Sequence, residues 1–366
     1  MLQFAAYSQD SVKNTGKLAM LMAFFLHMTL ATAIPISTAT VNRIGRFRII
    51  RELGRGTIGC VYLGHDPVID REVAIKTFLP SMSAVERKRI EEQFINEARA
   101  SGRLNHTNIV TIYEAYSEGG TTYIAMEYLQ GTELHRLLAT QHKFATSDVA
   151  SIIYRLANAL DFAHNNNVVH RDIKPANIFL VADNQPKLMD FGIARAPNRV
   201  ADEFAGSDDA PFTLYCKENL LGTPNYMSPE QATYSRVDHR TDIYSLGAVM
   251  YEMLTGRRPF VAENVEKLLE KIAHRAPKAP HEINPEVPEG LSAIVMRAMS
   301  KRPEKRYASA HDMAEEIKRY VLAGQRRRRE DRMRQGEEQR RRTDRPQDGT
   351  SPGLLDKLFR NVLRKS

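Results

Sequence analysis

The 366-residue sequence lacks tryptophan, has two cysteines, and has one apolar run approaching membrane-spanning length. Cys60 and Cys216 cannot build a disulfide framework or a cysteine-based metal cluster. Their scarcity suits a reducing compartment. Missing tryptophan excludes nothing. Outside the C-terminal tail neither charge sign dominates. Residues 326–366 hold 14 Lys/Arg against 7 Asp/Glu, which leaves 38 against 37 elsewhere. The pI of 9.4 therefore describes a basic tail on a nearly neutral body, not a nucleic-acid-binding fold. With 42% hydrophobic and 26% charged residues the chain is globular in composition. Its length allows two domains, or one bilobal unit with tails.

The apolar run is Leu18 to Ile34, interrupted by His27 and two threonines and ended by Pro35. It lies at the lower edge of the roughly 17–25 residues a spanning helix needs. Ala31-Thr32-Ala33 would suit signal cleavage, but that reading is disfavoured. Two readings stay open. One is a single anchor, with Arg43, Arg46, Arg48 and Arg51 holding the following chain on the cytoplasmic side. The other is an extra segment without that role.

From Gly45 to Leu129 the pattern is strand-rich. Phe47–Leu53 alternates, Val61–Leu63 and Val73–Lys76 are short strands, and Tyr123–Tyr128 is another. One helix is expected over Glu86–Leu104. Beyond Gly131 helical periodicity takes over. Val149, Ile152, Ile153, Leu156, Leu160 and Ala163 share one face. Asp242–Leu254, Leu291–Met299 and Ala310–Val321 read as further helices. Strands followed by helices imply an α+β, two-lobed architecture.

Three motifs carry chemistry. His170-Arg171-Asp172-Ile173-Lys174-Pro175-Ala176-Asn177 and Asp190-Phe191-Gly192 bring together acidic, amide and basic groups of the kind phosphoryl transfer uses. Far upstream, Gly54, Gly56 and Gly59 lie between two strands, where a backbone without Cβ atoms approaches phosphate closely. A dinucleotide fold would need a helix after such a loop. Here a strand follows.

With these motifs the sequence resembles the eukaryotic-like (Hanks-type) Ser/Thr protein kinases, in their bacterial branch, over about Gly45 to Leu322. The resemblance implies a bilobal protein-kinase fold: residues 45–322, with an N-lobe over 45–129 and a C-lobe over 130–322. An extension (1–44) and a basic tail (323–366) flank it. It implies ATP and Mg²⁺ as cofactors and proteins as substrates. Gly54, Arg55, Gly56, Thr57 and Gly59 would cover the phosphates, and Val61 and Ala74 the adenine. Lys76 would hold the α- and β-phosphates and Glu97 would hold Lys76. Asp172 would act on the substrate hydroxyl, and Lys174 would neutralise the transferred group, as in Ser/Thr rather than Tyr kinases. Asn177 and Asp190 would bind Mg²⁺. Glu127 and Leu129 belong to the hinge, Met126 precedes it, and Glu133 falls near ribose or substrate. Asp242 would accept hydrogen bonds from the catalytic-loop backbone, and Arg306 would pair with Glu230 of Ser228-Pro229-Glu230. Cys60 reads as a small filler.

Every catalytic position is filled, which argues against a non-catalytic scaffold. Lys174, Ser-Pro-Glu and Arg306 argue against a small-molecule phosphotransferase. The segment from Asp190 to Glu230 is long, and Ser207 and Thr213 are its candidate phosphosites. Gln325 to Arg345 is too polar for a core and is either disordered or a solvated helix. It lacks interleaved aromatics, so nucleic acid is not expected as a partner. Residues 354–365 place Leu354, Leu355, Leu358, Phe359, Val362 and Leu363 on one face of a basic amphipathic helix, which suits an anionic membrane surface, a partner protein or the kinase itself.

Overall fold

The computed structural model describes residues 42–55, 59–78, 91, 95, 98–99, 101–118, 121–191 and 224–343. The expectations for Leu18–Ile34, Gly56, Thr57, Glu97, Ser207, Thr213 and 354–365 lie outside these residues.

The N-lobe is an antiparallel six-stranded sheet in the order β1-β2-β3-β4-β6-β5. Its strands are β1 (Arg43–Ile44), β2 (Phe47–Arg55), β3 (Gly59–Asp66), β4 (Arg71–Phe78), β5 (Ile112–Glu118) and β6 (Thr121–Glu127). Side chains alternate across a sheet, and β4 shows the consequence. Val73 and Ile75 pack on one face with Ile44, Phe47, Tyr123 and Ala125. Ala74, between them, packs on the other face with Val110 and Met126. The sheet thus buries one face as its own core and lends the other to the interlobe cleft. In the expected helix over Glu86–Leu104, the described residues Glu91, Ile95, Ala98, Arg99 and Ser101 are helical.

A second sheet joins β7 (Thr132–Glu133), β8 (Ile178–Val181) and β9 (Gln185–Leu188) in that order. Gly131 leads into it. A Cβ there would collide with the Leu180 carbonyl oxygen, so glycine lets the chain after the hinge lie against β8. β9 also reaches the N-lobe side, where Val110 N–H donates to Leu188 O (2.9 Å) and Leu188 N–H to Asn108 O (2.8 Å).

The described helices beyond the hinge are α1 (Leu134–Ala139), α2 (Thr146–Asn165), α3 (Pro229–Ala232), α4 (Arg240–Thr255), α5 (Val265–His274), α6 (Pro280–Ile283), α7 (Glu289–Ala298) and α8 (Ala310–Thr343). All six residues of the α2 stripe are buried. On α4 every residue from Thr241 to Leu254 is buried, as befits a helix at the centre of a lobe. It ends where Gly256 takes a left-handed φ of 66°. α8 outruns the expected Ala310–Val321. Its core face stops with Ile317, Tyr320 and Val321, and the described side chains from Gln325 to Glu337 are exposed. Oppositely charged residues four apart, such as Arg327 and Asp331, favour that continuation. Of the two alternatives for Gln325 to Arg345, the helix is the one observed through Thr343.

The expected pair between α3 and the loop before α8 is present and fully buried. Arg306 meets Glu230 with two parallel bonds of 2.6 Å. Its remaining donors reach the carbonyls of Ser300, Arg240 and Lys301 at 2.8, 3.0 and 3.2 Å. All five guanidinium hydrogens thus have acceptors, which offsets much of the desolvation. Arg306→Met strands a buried carboxylate and is predicted to lower unfolding free energy by about 3–5 kcal/mol in urea titrations. Adding Glu230→Leu is predicted to recover much of that loss. A single variant within about 0.5 kcal/mol of wild type contradicts this account.

Candidate active site

The loop 170–177 leaves α2, turns through a 3₁₀ segment at Pro175–Asn177, and enters β8. Its shape is costly. Arg171 has a φ of 64°, a left-handed value rare for a side chain of its size. The anchor is Asp242, fully buried near the start of α4. Its Oδ2 accepts from His170 N–H (2.8 Å) and its Oδ1 from Arg171 N–H (2.7 Å). The His164 ring adds a contact to Oδ2 at 2.8 Å. Burial pushes the Asp242 carboxyl up. The hydrogen bond and charge of His164, with His170 beside it, outweigh that, so its net shift is downward and it stays ionised. Gln231 of α3 closes the far side of the loop by donating to Arg171 O at 2.9 Å.

His170 links the loop to the strand end that carries Asp190. Its Nε2 donates to Met189 O (2.9 Å), and its Nδ1 accepts from Asp172 N–H (3.2 Å). One nitrogen donates and the other accepts, so the ring must be neutral. Burial, the largest cause, lowers its pKa against the opposing pull of Asp242. The ring also lies 4.6 Å from that of Phe191, which is fully buried.

These anchors deliver two carboxylates to the cleft. Asp172 Oδ2 accepts from Lys174 Nζ at 2.6 Å and from Asn177 Nδ2 at 3.1 Å. The same Asn177 nitrogen donates to Asp172 O at 2.8 Å. Both amide hydrogens are thus engaged, and the Asn177 oxygen is the end left to face a ligand. Asp190, also left-handed at φ 53°, meets Lys76 of β4 at 2.8 Å. Partial burial pushes the Asp190 carboxyl up, but the Lys76 ammonium and its hydrogen bond prevail and the net shift is down. An ionised Asp190 and the Asn177 oxygen are hard donors of the kind Mg²⁺ takes beside phosphates.

An apolar cluster adjoins them in the chain, through Met189 beside Asp190 and Ala74 two residues before Lys76. Ala74, Val110 and Met126 form its buried part, with Leu53, Val61, Leu129 and Met189 around them. Val61, Ala74 and Leu129 were expected here. Leu53, Val110 and Met189 were not, since a lone aliphatic residue in a strand carries no signal until the fold closes. A Cβ at Gly54 would meet no protein atom within 4 Å, so that glycine borders open space and relieves no clash.

Other expected residues are engaged elsewhere. The Arg55 guanidinium is bound to Glu52 at 2.7 and 3.1 Å, so its backbone is what the loop has to give. Glu133 pairs with His135 and Arg136. The Glu127 carboxylate reaches Lys187 of β9 at 2.8 Å and Thr111 N–H at 3.2 Å, and its own N–H donates to Thr111 O at 2.9 Å. Lys187 was not foreseen; it fastens the hinge to the strand leading to Asp190.

Residues 47–319 match the family described as the protein kinase domain, and the chain belongs to that family. Its relatives include serine/threonine-protein kinases of bacteria. PrkC of Bacillus subtilis is 35% identical over 75% of this chain and 40% of its own length. Pkn1 of Myxococcus xanthus is 38% identical over 73% and 37%. A probable serine/threonine-protein kinase of Clostridium acetobutylicum is 36% identical over 74% and 39%. The chain thus spans about two fifths of the length of these relatives. Among solved structures, the PknI kinase domain of Mycobacterium tuberculosis superposes with a TM-score of 0.59 at 25% identity, covering 76% of this chain and 98% of that one. The bilobal α+β fold is that of the protein kinases.

An unfolded histidine titrates near 6.5, and His170 titrates lower when folded. As pH falls through about 6.5 the unfolded chain takes a proton that folded His170 refuses, and stability declines until the folded value is reached. Long-range ¹⁵N–¹H spectra at pH 6 are predicted to show His170 neutral with the proton on Nε2. A protonated ring at that pH contradicts the assignment.

Proposed function

We propose that the chain is an active Ser/Thr protein kinase. It transfers the γ-phosphate of MgATP to hydroxyls of protein substrates, in signalling. The observation carrying this reading is the pair of ion-paired carboxylates at the cleft. Asp172 lies with Lys174 and Asn177, and Asp190 lies with Lys76. Phosphoryl transfer depends mainly on positioning and charge neutralisation, and both pairs are held by backbone anchors.

In this reading residues 45–322 are the kinase domain, between an N-terminal extension and a basic tail. The apolar cluster from Ala74 to Leu129 holds adenine, with the hinge main chain at Glu127 and Leu129 reading its edge. Lys76 holds the α- and β-phosphates and is oriented by Glu97. The loop from Gly54 to Gly59 covers the phosphates, and Glu133 stands near the ribose or the substrate. Asn177 and Asp190 would hold Mg²⁺, which when bound neutralises phosphate charge. Asp172 accepts or orients the hydroxyl proton, and Lys174 stabilises the charge on the transferred group. Asp172 already touches Lys174, so the carboxylate that takes the hydroxyl and the ammonium that faces the phosphoryl group move as one unit.

Two finer statements accompany the activity. The kinase phosphorylates itself on Ser207 or Thr213. It also meets a membrane surface through 18–34 or 354–365. Among the described residues no helix is long and apolar enough to cross a membrane.

Asp172→Asn is predicted to lower ³²P transfer from ATP to a protein substrate by at least about 100-fold, the lower range for a lost general base. Equal transfer by variant and wild type contradicts the assignment. After incubation with MgATP, phosphate is predicted on Ser207 or Thr213; a fully active enzyme unmodified there contradicts autophosphorylation. Deleting 352–366 is predicted to reduce recovery in the membrane fraction with kinase activity unchanged, and unaltered fractionation rules out that attachment.

A further inference from the structure

The part of α8 that outruns the core is unassigned by anything in the kinase reading. Among the described residues, none past Val321 joins an apolar cluster, yet the chain is helical to Thr343. Helical neighbours three and four apart sort its described side chains into two stripes. One stripe is Leu322, Gln325, Arg326, Arg329, Arg332 and Met333, all exposed. It has three cations and no carboxylate, and it contains two large apolar side chains, Leu322 at 46% and Met333 at 60% exposure. The other stripe is Arg327, Glu330, Asp331, Arg334 and Glu337, where three carboxylates outnumber two arginines.

We propose that the first stripe docks the kinase on an anionic lipid surface. Three physical arguments select that partner. Three of the five described arginines past Val321 lie on the first stripe with no carboxylate among them, so its charge is uncompensated and matches a flat anionic surface. A helix enclosed by a nucleic-acid groove would meet phosphates on both sides, and here its second side carries acids. Leu322 and Met333 lie eleven residues apart on the same side, three turns of helix, and each can enter the boundary between headgroups and acyl chains. No aromatic side chain is present on the stripe to stack on a base. Because α8 is continuous with the buried residues Met313, Ala314 and Ile317, such docking would fix the orientation of the C-lobe to the surface. The inference concerns α8 alone and does not depend on residues 18–34 or 354–365.

The test is flotation of the full-length chain with phosphatidylglycerol–phosphatidylcholine vesicles. Two variants each remove two charges: Arg329→Gln with Arg332→Gln on the first stripe, and Arg327→Gln with Arg334→Gln on the second. Both leave residues 354–365 intact, and an unchanged urea midpoint verifies that each is folded. Binding is expected to fall roughly tenfold or more in the first variant and to change little in the second. Leu322→Ser with Met333→Ser is expected to weaken binding as well. The proposal is overturned if wild-type protein ignores anionic vesicles, if both charge variants lose binding equally, or if neither does. It is also overturned if mixed-sequence single-stranded RNA competes the wild-type protein off the vesicles at the same ionic strength.

Discussion

The Asp242 carboxylate is the constraint on which the cleft depends. It is a charge with no access to water, and it stays charged because two backbone N–H groups and one imidazole converge on it. In return it fixes two consecutive peptide units and holds Arg171 in a conformation that a non-glycine residue seldom adopts. From that peptide pair the chain continues into Asp172, Lys174 and Asn177, so the position of these three side chains is set from the middle of the helical lobe. A burial that would be costly for an unpaired carboxylate becomes the means of placing a strained loop.

The second carboxylate is placed through the first loop. His170 receives the Asp172 N–H on one ring nitrogen and gives its proton to Met189 on the other. Protonating that ring would break the pattern, so a neutral histidine is part of the geometry. Met189 then presents Asp190 to Lys76 across the lobes. Lys187, two residues earlier, grips Glu127 of the hinge. The short strand β9 thereby couples Glu127 of the hinge to the Asp190–Lys76 pair.

Much of this was legible beforehand, for a physical reason. Motifs that hold charges at fixed spacing, such as Asp172 to Asn177, are local, and local spacing survives in a sequence. The buried helix at Asp242–Leu254 was equally plain, because a run of apolar residues has one comfortable environment. Arg306 and Glu230 are far apart in the chain, and only resemblance paired them; their five-donor arrangement shows why the pair tolerates burial. Leu53, Val110 and Met189 were silent, since an aliphatic residue becomes a cleft wall only when three strands and a hinge meet. The length of α8 was undecided, because a polar Arg/Glu run satisfies a solvated helix and a disordered chain about equally.

The central claim is that Asp242 holds the loop 170–177 in its observed shape. Its most direct test is amide hydrogen exchange at His170 and Arg171, measured in wild type and Asp242→Asn. An asparagine offers one acceptor and turns an N–H₂ toward the second backbone donor. The account predicts strong protection of both amides in the wild-type protein, and much faster exchange in the variant while the amides of α2 stay protected. Unchanged protection of His170 and Arg171 in Asp242→Asn would contradict it.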